Sequence, residues 1–133
     1  MRRLITVLPI VVVVTAFAAC SGGQPLHVSS IQLGRSVNAD HTVSSTTTTF
    51  MPDDSIYLSV LTGGVGSGTL SVRWKYEGRV IDEPKKDVSF RIEGVTEFRL
   101  QSPGGFPPGN YSAEVLLNGQ SAGTREFTVG KQR

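Results

Sequence analysis

The chain has 133 residues, with 13 basic and 11 acidic side chains, and 38% of its residues are hydrophobic. This length suits one domain and excludes two of ordinary size. Without Arg2 and Arg3 the charges balance at 11 basic and 11 acidic residues. The body of the chain therefore gives no electrostatic argument for nucleic-acid binding. A single cysteine, Cys20, excludes an internal disulfide.

The first 19 residues have the order typical of a secretory signal peptide. Arg2 and Arg3 form a basic start, and the run from Leu4 to Ala19 contains no charged residue. This run of about 16 residues is shorter than the roughly 20 that a spanning helix needs. Pro9 also interrupts it. We therefore predict a signal helix over residues 1–19 that is removed on export.

Phe17, Ala18 and Ala19 precede Cys20, and the two alanines suit signal-peptidase cleavage. The segment resembles the lipobox of bacterial lipoproteins, with Phe17 where leucine is usual. The resemblance implies cleavage before Cys20 and attachment of a diacylglyceryl group to its sulfur. Stable membrane binding takes more than one acyl chain, so this lipid implies a stable anchor. Ser21 is not the aspartate that retains such proteins in the inner membrane, which favours the periplasmic face of the outer membrane. The alternative is an ordinary signal peptide that leaves a free Cys20 thiol.

The domain organisation follows from this cleavage site. Residues 20–25 form the lipidated cysteine and a short linker, residues 26–130 the folded domain, and residues 131–133 a polar tail. As a flexible coil the five linker residues Ser21–Pro25 span roughly 12 Å. We therefore expect the domain to lie close to the membrane that holds its anchor.

From Leu26 onward apolar and polar residues alternate with the period of two that is typical of half-buried strands. The clearest run is Thr69–Glu77, in which Leu70, Val72, Trp74 and Tyr76 share one face. The other predicted strands and strand markers are Leu26–Leu33, Ser55–Thr62, Val80–Ile81, Val88–Ile92, Phe98–Leu100, Gly109–Leu117 and Arg125–Val129. The predicted turns are Gly63–Gly68, Glu77–Gly78 and Asn118–Gly119.

About seven or eight short strands without a helical period favour an all-β antiparallel sandwich, because each one-sided apolar face needs another sheet to cover it. Trp74 in mid-strand and Tyr111 after the corner Pro107–Gly109 resemble the strand-C tryptophan and strand-F tyrosine of immunoglobulin-like domains. The resemblance implies an immunoglobulin-like or fibronectin-type sandwich with both rings in its core. Phe98–Tyr111 and the terminal hairpin are similar to small uncharacterised lipoproteins of Gram-negative bacteria, which implies no assigned activity.

The sequence predicts no catalytic, metal or cofactor site. His27 and His41 lack partners at metal-ligand spacing. Asp53–Asp54 favours a turn over a calcium site, because no acidic loop surrounds it. Gly64–Gly68 lacks the lysine and helix of a phosphate-binding loop, and no serine lies in a nucleophile elbow. We expect neither enzymatic activity nor a cofactor.

Four features of the sequence remain as candidate binding surfaces because we expect them on strand edges, outer faces or loops. They are Thr46–Thr49, the trio Arg73, Lys75 and Glu114, the mixed-charge connection Asp82–Asp87, and the loop Pro103–Gly109. The charges of Asp82–Asp87 suit a solvated edge, with a partner site as the alternative. Phe106 either packs under the corner, which we favour, or presents an aromatic ring to a partner.

These observations favour a membrane-anchored envelope lipoprotein whose sandwich is a non-catalytic protein-interaction or assembly module. Its expected partners are the membrane, through the lipid, and an unidentified envelope protein. One alternative is an accessory lipoprotein that binds a small ligand among the loops at one end of the sandwich. Another is an inhibitor of an envelope hydrolase that presents a rigid loop such as Pro103–Gly109.

Overall fold

A computed structural model of the protein describes residues 23–131. The expected signal helix, Phe17–Ala19 and the lipidation site Cys20 lie outside these residues. Between residues 23 and 131 the chain forms nine strands in two sheets and no helix, so this part holds no helix that could cross a membrane. The all-β sandwich expected from the sequence is confirmed.

The strands are β1 (His27–Gly34), β2 (Thr49–Phe50), β3 (Ile56–Gly63), β4 (Gly66–Tyr76), β5 (Arg79–Asp82), β6 (Lys85–Phe90), β7 (Gly94–Leu100), β8 (Gly109–Leu117) and β9 (Gln120–Val129). The first sheet has the order β1-β3-β7. The second has the order β2-β9-β8-β4-β5, and β6 also pairs with β4, at residues 66–71, beside β5.

The structure differs from the expected sandwich in three details. The named strands pair antiparallel, as expected, except that the two-residue strand β2 pairs parallel with β9. The short β2 raises the strand count to nine. Ile92, expected in a strand, lies beyond the end of β6, because the chain there crosses to the other sheet.

The core lies between the inward faces of the two sheets. Trp74 on β4 is fully buried and meets Phe127 edge-on, with ring centroids 6.1 Å apart. Tyr111 stacks on the same Phe127 ring at 5.2 Å. The aliphatic core side chains are Ile31, Leu33, Ile56, Leu58, Val60, Leu70, Val72, Leu100, Ala113, Val115 and Val129. Burial of each large side chain stabilises the fold by roughly 1.5–3 kcal/mol.

Two tight turns join strands of the second sheet. Glu77 and Gly78 both have positive φ, at 47° and 81°, and so do Asn118 and Gly119, at 53° and 80°. Two consecutive residues with positive φ match the twist of a hairpin, and asparagine and glycine adopt this conformation readily. The Asn118 Oδ1 atom also accepts a 2.9 Å hydrogen bond from the Thr69 N–H, which ties the β8–β9 hairpin to β4.

Strand direction gives the sandwich two distinct ends. The N-terminal end consists of Gln24–His27 and three connections, Gly63–Gly66, Arg91–Gly94 and Asn118–Gly119. The loop end consists of Met51–Ser55, Glu77–Gly78 and Gln101–Pro108. The long sides of the sandwich between these ends carry its exposed strand edges.

Candidate interaction surfaces

At the loop end, Tyr111 fixes the corner that enters β8. Its hydroxyl donates a 2.6 Å hydrogen bond to the Pro107 carbonyl, the arrangement of a tyrosine corner. Burial raises the pKa of Tyr111 to about 12, and neighbouring Tyr76 and Glu77 add to the shift. The hydroxyl therefore keeps its proton, and with it the hydrogen bond, across the physiological pH range.

Phe106 lies inside this corner. Its side chain is 5% exposed and meets Tyr111 edge-on, with ring centroids 6.4 Å apart. The ring therefore packs under the corner and is not available on the surface. A partner that met this loop would contact the exposed Pro103 and Gly104 instead.

A cleft of about 460 Å³ opens at the loop end between Pro52–Ser55 and Arg99–Phe106. Burial would raise the pKa of Asp54, but hydrogen bonds from the Met51 N–H and the Arg35 guanidinium hold it below its usual value. Several polar groups of the cleft bond to the protein itself: Asp54 to Arg35 at 2.9 Å, Arg99 to Ser55 at 3.2 Å, and Ser102 to the Gly105 carbonyl at 2.7 Å. The Asp54 carboxylate therefore stabilises the turn at Met51–Ser55, which is the role that the sequence favours.

The two histidines lie apart and have local partners. His27 Nδ1 is 2.9 Å from the Pro25 carbonyl, and His41 Nδ1 is 3.1 Å from a Glu97 carboxylate oxygen. His41 belongs to a loop that folds over the outer face of the first sheet, where its carbonyl accepts a hydrogen bond from Ser59. Among residues 23–131 no group of three or more His, Cys, Asp or Glu is arranged to hold a metal ion.

On one long side of the sandwich, the last residues of the segment Arg35–Phe50 cover the strand edges near the loop end, and we call this side the closed edge. The Thr47 N–H donates to the Leu33 carbonyl on β1 at 3.0 Å. One residue further on, the Thr48 carbonyl accepts from the Thr128 N–H on β9 at 2.9 Å. The threonine-rich segment thus passes from the first sheet to the second and pairs with the edge of each.

The opposite long side, formed by β5, β6 and β7, is the open edge. Every residue of β5 is exposed, and Val80 and Ile81 are 52% and 46% exposed. Lys86 on β6 reaches across to β7, where it donates to the Glu97 carbonyl and lies over the Phe98 ring at 5.1 Å. On the open edge the Lys86 side chain bridges the two sheets, whereas on the closed edge a segment of the chain does so.

The polar trio lies on the outer face of the second sheet, next to the open edge. Arg73 donates to Glu114 and to Glu83, each at 3.1 Å. Lys75 is the register partner of Val80, so both side chains lie on this outer face. The ion pairs hold the charged side chains in place beside exposed Val80, whereas Ile81, on the other face of β5, lines a cavity of about 290 Å³ with Leu100 and Phe106.

We call Val80 and Ile81, with the charged residues around them, the open-edge patch. The surrounding charged residues are Arg73, Lys75, Asp82 and Glu83. Sequence reasoning found the edge segment and the trio separately but missed that they adjoin. The sequence signal that could have indicated this patch is the pair of β-branched residues Val80 and Ile81 within a stretch of charged residues.

Solved structures with a similar fold include two proteins from Pseudomonas. An immunoglobulin-like protein from Pseudomonas aeruginosa is similar with a TM-score of 0.53 at 12% identity, over 80% of this chain and 97% of that chain. The alkylpurine DNA glycosylase AlkC of Pseudomonas fluorescens, bound to DNA containing an abasic-site analogue, gives 0.50 at 13% identity, over 81% of this chain and 31% of that chain. The sequence matches no protein-family model and no curated protein. At these identities the likeness shows the immunoglobulin-like fold alone.

Proposed function

We propose that the protein is a membrane-anchored envelope lipoprotein whose sandwich is a non-catalytic protein-interaction module. The lipobox-like sequence before Cys20 supports the anchor. The observation that carries the interaction role is the open-edge patch, where Val80 and Ile81 are both exposed on one edge strand, and charged side chains lie beside Val80. Binding surfaces commonly combine an apolar centre with a polar rim.

The patch favours recognition through side chains over addition of a strand. A register shift between Trp74 and Lys75 distorts the pairing of β4 with β5, and Pro84, which has no N–H, separates β5 from β6. Charges, bulges and proline are the features by which exposed strands avoid edge-to-edge pairing. A partner therefore contacts the apolar pair and its rim while the backbone edge stays protected.

The rim is arranged before a partner arrives. Arg73 is held between Glu83 and Glu114, so its guanidinium loses little freedom on binding. Such a rim contributes mainly to specificity and to the rate of association, while the apolar pair contributes to affinity. We expect a partner surface with an apolar group at its centre and charges of both signs around it.

Site-specific photo-cross-linking in intact cells tests the interaction role. With the photoreactive residue at Ile81 of the full-length protein, we expect a discrete cross-linked product that disappears in Val80→Asp. Ala122→Asp is the matched control, because it places the same charge on an exposed side chain of β9, away from the patch. No product from position 81, or the same product from a photoreactive residue at Ser121 on β9, would contradict the proposal.

The anchor has its own test. Cys20→Ala should abolish labelling by radioactive fatty acid and release the protein from the membrane fraction, because the lipid has lost its attachment atom. Ser21→Ala serves as the control and should keep both. A Cys20→Ala variant that retained label and membrane association would overturn the lipoprotein assignment and leave the interaction test unaffected.

A further inference from the structure

The N-terminal end of the sandwich presents two apolar side chains to solvent. Val65 lies between β3 and β4 and is 47% exposed, and Ile92 lies between β6 and β7 and is 78% exposed. Gly66 and Phe90 are register partners in neighbouring strands, so the two connections lie side by side. Nothing in the core requires these side chains, which project from the tips of the turns.

The same end carries few charges. Its segments Gln24–His27, Gly63–Gly66, Arg91–Gly94 and Asn118–Gly119 contain two charged residues, Arg91 and Glu93, which have opposite signs and flank Ile92. The loop end, by contrast, carries three charged residues of one sign, Asp53, Asp54 and Glu77. A surface with protruding apolar residues and no net charge suits the boundary between lipid headgroups and acyl chains.

The chain entering the domain is bound to one of these turns. The Leu26 N–H donates to the Val65 carbonyl at 3.1 Å, and the Val65 N–H donates to the Gln24 carbonyl at 2.9 Å. Three residues separate Gln24 from Cys20. Even a fully extended chain covers only about 14 Å over that distance. A lipid on Cys20 therefore keeps Gln24, and with it the Val65 turn that Gln24 binds, close to the lipid attachment atom.

We infer that the N-terminal end docks on the bilayer surface, with Val65 and Ile92 entering the headgroup region. This inference rests on the proposed lipid anchor and adds an orientation to it. The sandwich stands on its N-terminal end, the loop end points away from the membrane, and the open-edge patch faces sideways. The occupant of the apolar surface is the membrane that holds the anchor.

Nitroxide accessibility in vesicles tests this docking. The full-length lipidated protein is reconstituted into phosphatidylethanolamine–phosphatidylglycerol vesicles, with a nitroxide on Ile92→Cys or, at the loop end, on Asp53→Cys. The Cys20 sulfur is a thioether and does not react with the label. We expect the ratio of collisions with oxygen to collisions with a water-soluble nickel complex to be at least threefold higher at position 92 than at position 53.

Two valine variants make the test specific. Val65→Asp should lower the ratio at position 92 toward that at position 53, because an ionised side chain resists entry into the interface. Val80→Asp is the matched control and should leave the ratio unchanged. Equal ratios at positions 92 and 53 in protein that floats with the vesicles would overturn the docking and leave the anchor standing. Protein that does not float would overturn the anchor and the docking with it.

Discussion

The two long sides of the sandwich differ in how they deal with the unpaired backbone groups of their edge strands. On the closed edge the segment Arg35–Phe50 pairs with β1 at Gly34 and with β9 at Thr128 and Val129, so the chain itself covers part of each sheet's edge. On the open edge, β5 stays exposed and is protected by charge, a register shift and Pro84. Covering an edge adds to the core, whereas protecting it leaves side chains available to a partner. Under the proposed function, stability and recognition are thus assigned to opposite sides.

The largest effect is expected on the closed edge. Phe50→Ala should lower the free energy of unfolding by about 3–5 kcal/mol, because it removes a ring that is 2% exposed and 5.4 Å from Phe127. Ile81→Ala on the open edge is the control and should change it by less than about 0.5 kcal/mol. Urea denaturation measures both. Similar losses from the two variants would break the distinction between the edges.

Tyr111→Phe separates hydrogen bonding from aromatic packing beside the closed edge. It keeps the stack on Phe127 and should lower the free energy of unfolding by about 1 kcal/mol, through loss of the bond to Pro107. The folded pKa of about 12 exceeds the ordinary value of 10.0, so the folded state holds this proton more tightly. Stability is therefore lost as pH rises from 10 to 12.

Urea unfolding of wild type and Tyr111→Phe at pH 8 and pH 11 measures this effect. The difference between the two proteins should be smaller at pH 11, because the wild type alone loses the contribution of the Tyr111 proton. A difference that stayed constant or grew with pH would contradict the assignment of the raised pKa to this corner.

Asp54→Asn tests how the closed edge is tied to the loop end. It should lower the free energy of unfolding at pH 7 by about 1 kcal/mol, because the ion pair with Arg35 is lost and the Met51 N–H loses an ionised acceptor. The loss is no larger because solvent screens the ion pair with the half-exposed Arg35. The folded pKa of Asp54 lies below 3.8, so its contribution is present above that pH and is lost as pH falls through the folded pKa.

Unfolding of wild type and Asp54→Asn at pH 7 and pH 3 provides the measurement. The two proteins should differ less at pH 3 than at pH 7. Asp53→Asn is the control, because Asp53 is the exposed neighbour in the same turn. A gap of equal size at both pH values would exclude a contribution from the Asp54 charge.

The smallest effect on stability is expected on the open edge. Val80→Asp should change the free energy of unfolding by no more than about 0.5 kcal/mol, because the side chain already meets water. The same variant should abolish cross-linking from position 81. Thermal unfolding together with the cross-linking yield measures both. A large loss of stability would show that the exposed pair is structural and would remove the argument for recognition.

Local patterns were sufficient to predict much of the fold. The alternation around Trp74 predicted a strand that does line the core, and the pair Asn118–Gly119 predicted a hairpin turn. Both depend on residues that are close in sequence. The parallel pairing of β2 with β9 depends on a hydrogen bond between Thr48 and Thr128, and neither residue's neighbours in sequence specify it.

The candidate surfaces were predictable only in part. The sequence identified Val80 and Ile81 as an edge segment, but their exposure depends on whether another segment covers that edge. Ile92 continued an alternating pattern and was expected in a strand, but β6 ends at Phe90 and the chain turns toward the other sheet. Burial is set by tertiary neighbours, and a pattern of residue types does not identify those neighbours.

The pairing of the end strands has a mechanical consequence. β1 starts at the N-terminal end and β9 finishes at the loop end, so a pull between a tethered N-terminus and Val129 acts along the strands. Under such tension the hydrogen bonds of β1 with β3, and of β9 with β8, are loaded in shear and must break together. Hydrogen bonds pulled apart from one end of a ladder break one at a time, at lower force. With the N-terminus anchored as we propose, the strand directions therefore favour resistance to a force applied between that anchor and the end of β9.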